Sequence, residues 1–437
     1  MSSLVNVHEQ NITDTSLSSS GDQKPLVLKE RSCFRVVLVV IPCLLLIWGV
    51  SLLPTVFYAN KLPVPTDPPS PNISNQTQPL YPCSHPLILN QKTHLCEPPC
   101  PWVMLTKAEK FALLVVENFS IAVNLMGFVI ILSTWMRIKK LRCFPHIIPL
   151  YIQGLSSAIA VLIAVANGIG EEKAFCSNKF LAESSKNPTK FCTAQGVLIH
   201  YFSVALALWF VVYSINLLKM IYSDSLVNLQ GNCYRVQHIV YSLICWLLPF
   251  IPVGIVLGSE SPPYIVVNMQ FCFPESTDTG YFTTTFITEL ALGVGVTCLF
   301  FVVYKLFMLR NISTVAGEQA KSRKKKMDKL VQRLVFLMFA YAAIVTLTYI
   351  PICLLQQHTA LLEHHINRYF RCLMFYPPEK CHKKYEKYTF SGAFVASSLS
   401  TAFFALTTVC FLAFNKQSRK LWTFWWFRIQ RCCCEQS

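Results

Sequence analysis

Eight long apolar runs leave this chain few folds to choose from. They fall at about Val36–Tyr58, Phe111–Trp135, His146–Asn167, Cys192–Tyr222, His238–Leu257, Tyr281–Met308, Leu334–Leu355 and Tyr388–Phe414. A run of about 20 apolar residues can cross a bilayer as a helix. Backbone groups left open in lipid go unsatisfied, so each run predicts a helix. No period-two alternation points to a β-barrel. Composition agrees: 53% of the 437 residues are hydrophobic and 14% charged, too apolar for a set of soluble domains or for disorder.

The net charge of +16 would ordinarily point to nucleic acid or an acidic membrane surface. Its placement decides for the membrane. Arg137, Lys139, Lys140 and Arg142 follow the second run. Arg310, Lys321, Arg323, Lys324, Lys325, Lys326, Lys329 and Arg333 follow the sixth. Lys416, Arg419, Lys420, Arg428 and Arg431 follow the last. If the runs alternate in direction, all three groups share one side, and basic short loops mark the cytoplasm. The loop around Arg368, Arg371, Lys383 and Lys384 runs against this trend. A nucleic-acid partner is not expected. Membrane lipids are, and the Lys321–Lys329 run suits either anionic headgroups or an acidic transducer.

The first run reads as a cleaved signal peptide or as a retained signal anchor. The anchor is favoured by the 32 residues ahead of the run and by its length. Residues 1–32 are then a disordered cytosolic N-terminus, 33–58 the anchor and 59–110 an extracellular proline-rich linker. Residues 111–415 form the seven-helix domain and 416–437 a cytoplasmic amphipathic helix with a cysteine-rich tail. The linker carries glycosylation sequons at Asn72 and Asn75. The fold class expected is an all-α membrane protein, a seven-transmembrane helix bundle with an additional N-terminal hydrophobic helix.

This topology puts eight of the 19 cysteines outside: Cys83, Cys96, Cys100, Cys176, Cys192, Cys272, Cys372 and Cys381. An even number in an oxidising compartment predicts four bridges. Cys192 opens a span and Cys272 lies in the next outer loop, so a bridge there would pin that loop over the bundle. Cys372 and Cys381 can close a short ring. Cys83, Cys96 and Cys100 would pair among themselves and with Cys176. Spacing alone does not fix the connectivity. Cys432, Cys433 and Cys434 follow an aromatic amphipathic segment on the inner side, as palmitoylated cysteines do.

Ionisable groups within spans are costly and mark function. Glu117, His200 and Glu289 each lie about eight residues into a span from its outer end, roughly 12 Å deep at 1.5 Å per residue. Equal depth on three helices would allow one shared polar cavity as a ligand pocket, with Asn118 and Asn124 nearby in sequence. Separate interhelical hydrogen bonds would explain the same residues. No zinc-protease, phosphate-loop or nucleophile-elbow motif is present, so neither an enzyme nor a cofactor is expected. Adjacent His364 and His365 do not share a helix face, and no metal site is expected.

Arg142-Cys143-Phe144-Pro145-His146, with the further segments quoted next over about Cys83–Trp425, resembles the Frizzled/Smoothened receptors, being similar to the family's R-x-[FY]-P-x segment. Cys192, the pair Tyr201-Phe202, Ala205 and Trp209 resemble its third span, and Lys329-Leu330-Val331-Gln332-Arg333 its K-L-x-x-R. The eight outer cysteines follow the family order, including Cys96-x-x-x-Cys100. The resemblance implies the pairs Cys83–Cys96, Cys100–Cys176, Cys192–Cys272 and Cys372–Cys381. It also implies a plasma-membrane receptor that passes an outer signal to a Dishevelled-like adaptor or a heterotrimeric G protein.

Three departures qualify this. The family's N-terminal domain of ten cysteines, which captures lipidated Wnt proteins, has no counterpart, so the chain resembles the branch lacking it. An unknown extracellular or sterol-like ligand is expected instead. The family tail motif K-T-x-x-x-W is met by Lys420 and Trp425 with Leu421 in the threonine position, while Lys416 with Trp422 is one residue off. The family's inner switch pairs a basic residue with a tryptophan. Arg333 matches, but the last span offers Phe411 and Phe414, weaker cation–π partners. Arg333→Ala is expected to raise basal signalling. Other readings are a cyclic-AMP-receptor-like protein and a transporter or channel, though no internal repeat favours a transporter.

Overall fold

The computed structural model describes residues 83, 87–91, 95–101, 107–222, 232–259, 262–267, 271–274, 278–312, 402, 405 and 406. In chain order these form strands β1 (Ile88–Asn90) and β2 (Leu95–Glu97), then helices α1 (Lys107–Arg137), α2 (Ile148–Ile169), α3 (Glu171–Phe175), α4 (Leu181–Lys186) and α5 (Lys190–Tyr222). Helices α6 (Asn232–Leu247) and α7 (Phe250–Ser259) follow, then β3 (Tyr264–Val267) and β4 (Phe271–Pro274). A π-helical stretch, Tyr281–Phe286, leads into α8 (Ile287–Ile312).

Among the described residues, five stretches are long and apolar enough to cross a membrane: Lys110–Arg137, Ile148–Ile169, Lys190–Tyr222, Arg235–Ser259 and Tyr281–Leu306. They coincide with the second to sixth apolar runs. Val36–Tyr58 and Leu334–Leu355 lie outside the described residues, as does Tyr388–Phe414 except for Ala402, Ala405 and Leu406. Those three are helical, and Ala402 and Ala405 pack on Val123 of α1.

Helix ends follow local chemistry. Pro149 sits in the first turn of α2, where a missing N–H costs nothing. Gly170, with φ of 91°, ends α2 in a conformation that a side chain would resist. Pro249 falls in the turn between α6 and α7, so one membrane crossing is built from two helical pieces.

Helix α5 is the centre. Ala205, Trp209 and Val212 bury one side of it against Ile148, Ile152 and Leu155 of α2 and Cys245 of α6. Tyr151 and Trp246 close on Trp209, with ring centroids 4.7 and 5.9 Å away. The other side sets Phe210 and Leu217 against Leu299, Val302 and Leu306 of α8. Helices α1 and α2 share a polar knot. Gln153 Nε2 and Ser157 Oγ donate to the Asn124 carbonyl (3.2 and 3.1 Å), and Ser156 Oγ donates to Asn124 Oδ1 (2.9 Å).

The described residues also include two antiparallel hairpins, β1–β2 and β3–β4, beside the helices. Each strand has three or four residues, too short for alternation to register. The all-α description holds for the five described spans.

Candidate functional site

The end of the bundle that the basic loops would put outside, called the outer end from here on, is held among the described residues by three disulfides. Cys83 joins Cys96 of β2, Cys100 joins Cys176, and Cys192 of α5 joins Cys272 of β4. These are the partners implied by the family resemblance; Cys372 and Cys381 lie outside the described residues. The linker is also hydrogen-bonded to the loop between α2 and α5, from Cys100 N to Lys179 O (2.8 Å) and from Leu181 N to Pro98 O (3.1 Å).

The second hairpin is held over the outer end of α5. Its register sets Tyr264 opposite Pro274 and Val266 opposite Cys272. Side chains alternate across a strand, and Tyr264, Cys272 and Pro274 are all buried. Gln195 of α5 clamps the hairpin, accepting from Cys272 N at Oε1 (3.1 Å) while its Nε2 donates to Leu162 O of α2 (3.1 Å).

Cys192, Gly196 and His200 recur at intervals of four, which lines them along one face of α5. The hairpin meets each in turn. Cys192 takes the disulfide. Gly196 makes room for the Tyr264 ring; a Cβ there would lie 2.6 Å from its Cδ1. His200 meets the Tyr264 hydroxyl at Nδ1 (3.3 Å).

The other ring nitrogen of His200 faces the π-helical stretch. Nε2 lies 3.3 Å from the Thr283 carbonyl and 3.1 Å from Thr284 Oγ1. A carbonyl only accepts, which assigns the proton to Nε2 and leaves Nδ1 to accept from Tyr264. Burial pushes the Tyr264 phenol up to about 12, so at neutral pH it is a protonated donor. One imidazole therefore links α5, the outer hairpin and the start of the fifth described span.

Glu117, His200 and Glu289 are 7%, 0% and 1% exposed, so none faces lipid. Their surroundings differ. Glu117 on α1 has Asn167 and Glu171 as polar neighbours, and Glu171 pairs with Lys110 at 2.6 Å. His200 is engaged by the hairpin and the π-helical stretch, and Glu289 lies in the first turn of α8. Asn118 is exposed and Asn124 belongs to the α1–α2 knot, so neither joins the His200 cluster. Sequence reading missed Gln195, Gly196, Tyr264, Thr283 and Thr284. The fourfold spacing on α5 was the available signal. Among the described residues no group of three His, Cys, Asp or Glu side chains could hold a metal.

The inner end is shaped by the Arg142–His146 segment. Arg142 Nε donates to the Trp135 carbonyl (3.2 Å) and its guanidinium reaches the Met136 carbonyl, capping α1. Trp135 Nε1 donates to the His146 carbonyl (2.9 Å). Phe144 is buried against Ile148 and stacks on His238 of α6 at 5.3 Å. Arg333, Phe411, Phe414, Lys416, Lys420, Trp422, Trp425, Cys432, Cys433 and Cys434 lie outside the described residues, as do Asn72 and Asn75.

A family model, the Frizzled/Smoothened family membrane region, matches residues 104–433. The chain belongs to the Frizzled/Smoothened family. No curated protein matches it. The family match runs through the apolar runs Leu334–Leu355 and Tyr388–Phe414 and includes Arg333 and the aromatic segment that follows the last run. The Arg142–Pro145 motif of this Frizzled/Smoothened chain has a physical role in the structure: arginine caps one helix and phenylalanine seats the next.

Proposed function

We propose that this chain is a non-catalytic signalling receptor of the plasma membrane with seven spans. An outer or sterol-like ligand biases its helix arrangement toward a Dishevelled-like adaptor or a heterotrimeric G protein. Family membership supports the receptor reading, and the Tyr264–His200–Thr283/Thr284 connection carries the mechanism. A ligand that moves the hairpin acts on His200 through Tyr264, and His200 acts on the π-helical entry to α8. Such turns recur at functional sites in helices. Further down, α8 packs on α5 through Phe210 and Leu299, so a shift at the outer end alters the inner packing. A ligand shifts this equilibrium only by binding the two arrangements with different affinity. The inner surface that responds comprises Arg333, the Lys321–Lys329 loop and the tail segment bearing Lys416, Lys420, Trp422 and Trp425. Glycans at Asn72 and Asn75 and acyl chains at Cys432–Cys434 complete the reading.

The test is a proximity assay in cells. The receptor carries a C-terminal reporter and is set against Dishevelled and a panel of heterotrimeric G proteins. Tyr264→Phe, Lys420→Ala and Trp425→Ala are measured beside the wild type at matched surface expression. Recruitment of either transducer that changes with Tyr264→Phe supports the reading. Loss of Dishevelled signal in both tail variants assigns that output. A basal signal identical in wild type and Tyr264→Phe for every responding transducer sinks the hairpin mechanism.

A further inference from the structure

We propose that the inner ends of α5 and α6 form a binding site for one anionic phospholipid of the cytoplasmic leaflet, held by Lys219 and Tyr241. Lys219 lies in the last turn of α5 and is exposed. Its Nζ donates to the Tyr241 hydroxyl of α6 (2.8 Å) and sits 5.5 Å from the centre of that ring. Two donors are thereby brought together. The ammonium keeps two further N–H groups, and the phenol, having accepted from lysine, keeps its own O–H. A phosphate oxygen can accept from both at once.

The charge has no match within the described protein. The ion pair Lys110–Glu171 lies at the opposite, outer end of the bundle. Arg235, also exposed, lies about one and two-thirds turns before Tyr241 on another face of α6, so it adds positive charge to this end of the bundle without joining the donor pair. The basic inner segments put this end of the bundle at the cytoplasmic leaflet, whose lipids carry net negative charge. Beyond Tyr241, toward the bilayer centre, Ile244, Leu247 and Leu248 are exposed and supply an apolar track for an acyl chain. Tyr241 is fixed from behind: Phe144 lies 5.9 Å from its ring and also stacks on His238, which bonds Tyr151 Oη at 3.2 Å. The donor pair is therefore mounted on packed helices, whereas the Lys321–Lys329 run is an unpatterned cluster of cations in the sequence.

The test is native mass spectrometry of the full chain purified in detergent, supplied with equal amounts of phosphatidylserine and phosphatidylcholine. The wild type is expected to retain phosphatidylserine in preference. Lys219→Ala should weaken that retention about fivefold, with phosphatidylcholine unchanged. Arg235→Ala, at an exposed position that does not threaten folding, should weaken it in the same direction, and Lys219→Arg should restore most of it. The Lys321–Lys329 run is intact in every variant. Equal phosphatidylserine retention by wild type, Lys219→Ala and Arg235→Ala would assign the lipid to that run and overturn the site. Equal retention of the two lipids by the wild type would overturn it as well.

Discussion

Tyr264 donates its hydroxyl to Nδ1 of His200 across 3.3 Å, joining residues 64 apart in sequence, one in a disulfide-tied hairpin and the other on the helix beneath it. Replacing Tyr264 by Phe removes this bond and leaves the ring over Gly196. The expected cost is about 1–3 kcal/mol, because the buried Nδ1 of His200 is left without a donor. A small drop in melting temperature with unchanged surface expression checks it; a collapse of expression would mean that the ring had moved too.

Gly196 and Gly295 are tight for different reasons. A Cβ at Gly295 would lie 2.3 Å from Phe210 Cε1, and one at Gly196 would meet three atoms of Tyr264 within 3.0 Å. Either Ala substitution should destabilise by about 1–3 kcal/mol through overpacking. Phe210→Leu should recover part of the loss in Gly295→Ala and none in Gly196→Ala. A thermal-shift double-mutant cycle measures the difference.

The Cys192–Cys272 bridge closes a sequence separation of 80 residues and holds the hairpin to α5. Its removal should cost about 2–5 kcal/mol. In Cys272→Ser, Cys192 should become open to alkylation, and peptide mapping should still find Cys83–Cys96 and Cys100–Cys176 joined.

In the α1–α2 knot the Asn124 backbone accepts two of the three interhelical bonds, so its side chain matters less than its position implies. Between the helices, Asn124→Ala removes the Ser156 bond, beside the bond its Nδ2 donates to the Ser120 carbonyl within α1 (3.0 Å), and about 0.6 kcal/mol is expected for the interhelical bond in a membrane. Gln153→Leu removes a donor to the Asn124 carbonyl, and its cost should be similar. Thermal denaturation of the two single variants and the double variant checks both values.

The spans were legible because membrane helices announce themselves by length and apolarity, a signal each run carries alone. The outer hairpins were not, since strands of three or four residues owe their shape to Cys96 and Cys272 and not to their own pattern. His200 stood out as an imidazole within an apolar helix. Tyr264 did not, because one more tyrosine in an outer loop gives no local hint of a partner on another element. Glu117, at the same nominal depth as His200, is engaged at the α1–α2 side. Depth along a helix is readable from sequence; the direction a side chain takes around that helix depends on packing partners.

Helix α5 is tied by a covalent bond at Cys192, by a ring seated on Gly196, by an imidazole at His200 and by indole packing at Trp209. A rod gripped at so many levels makes a poor piston. It serves better as a stator, the fixed post to which the hairpin is fastened and on which α8 packs.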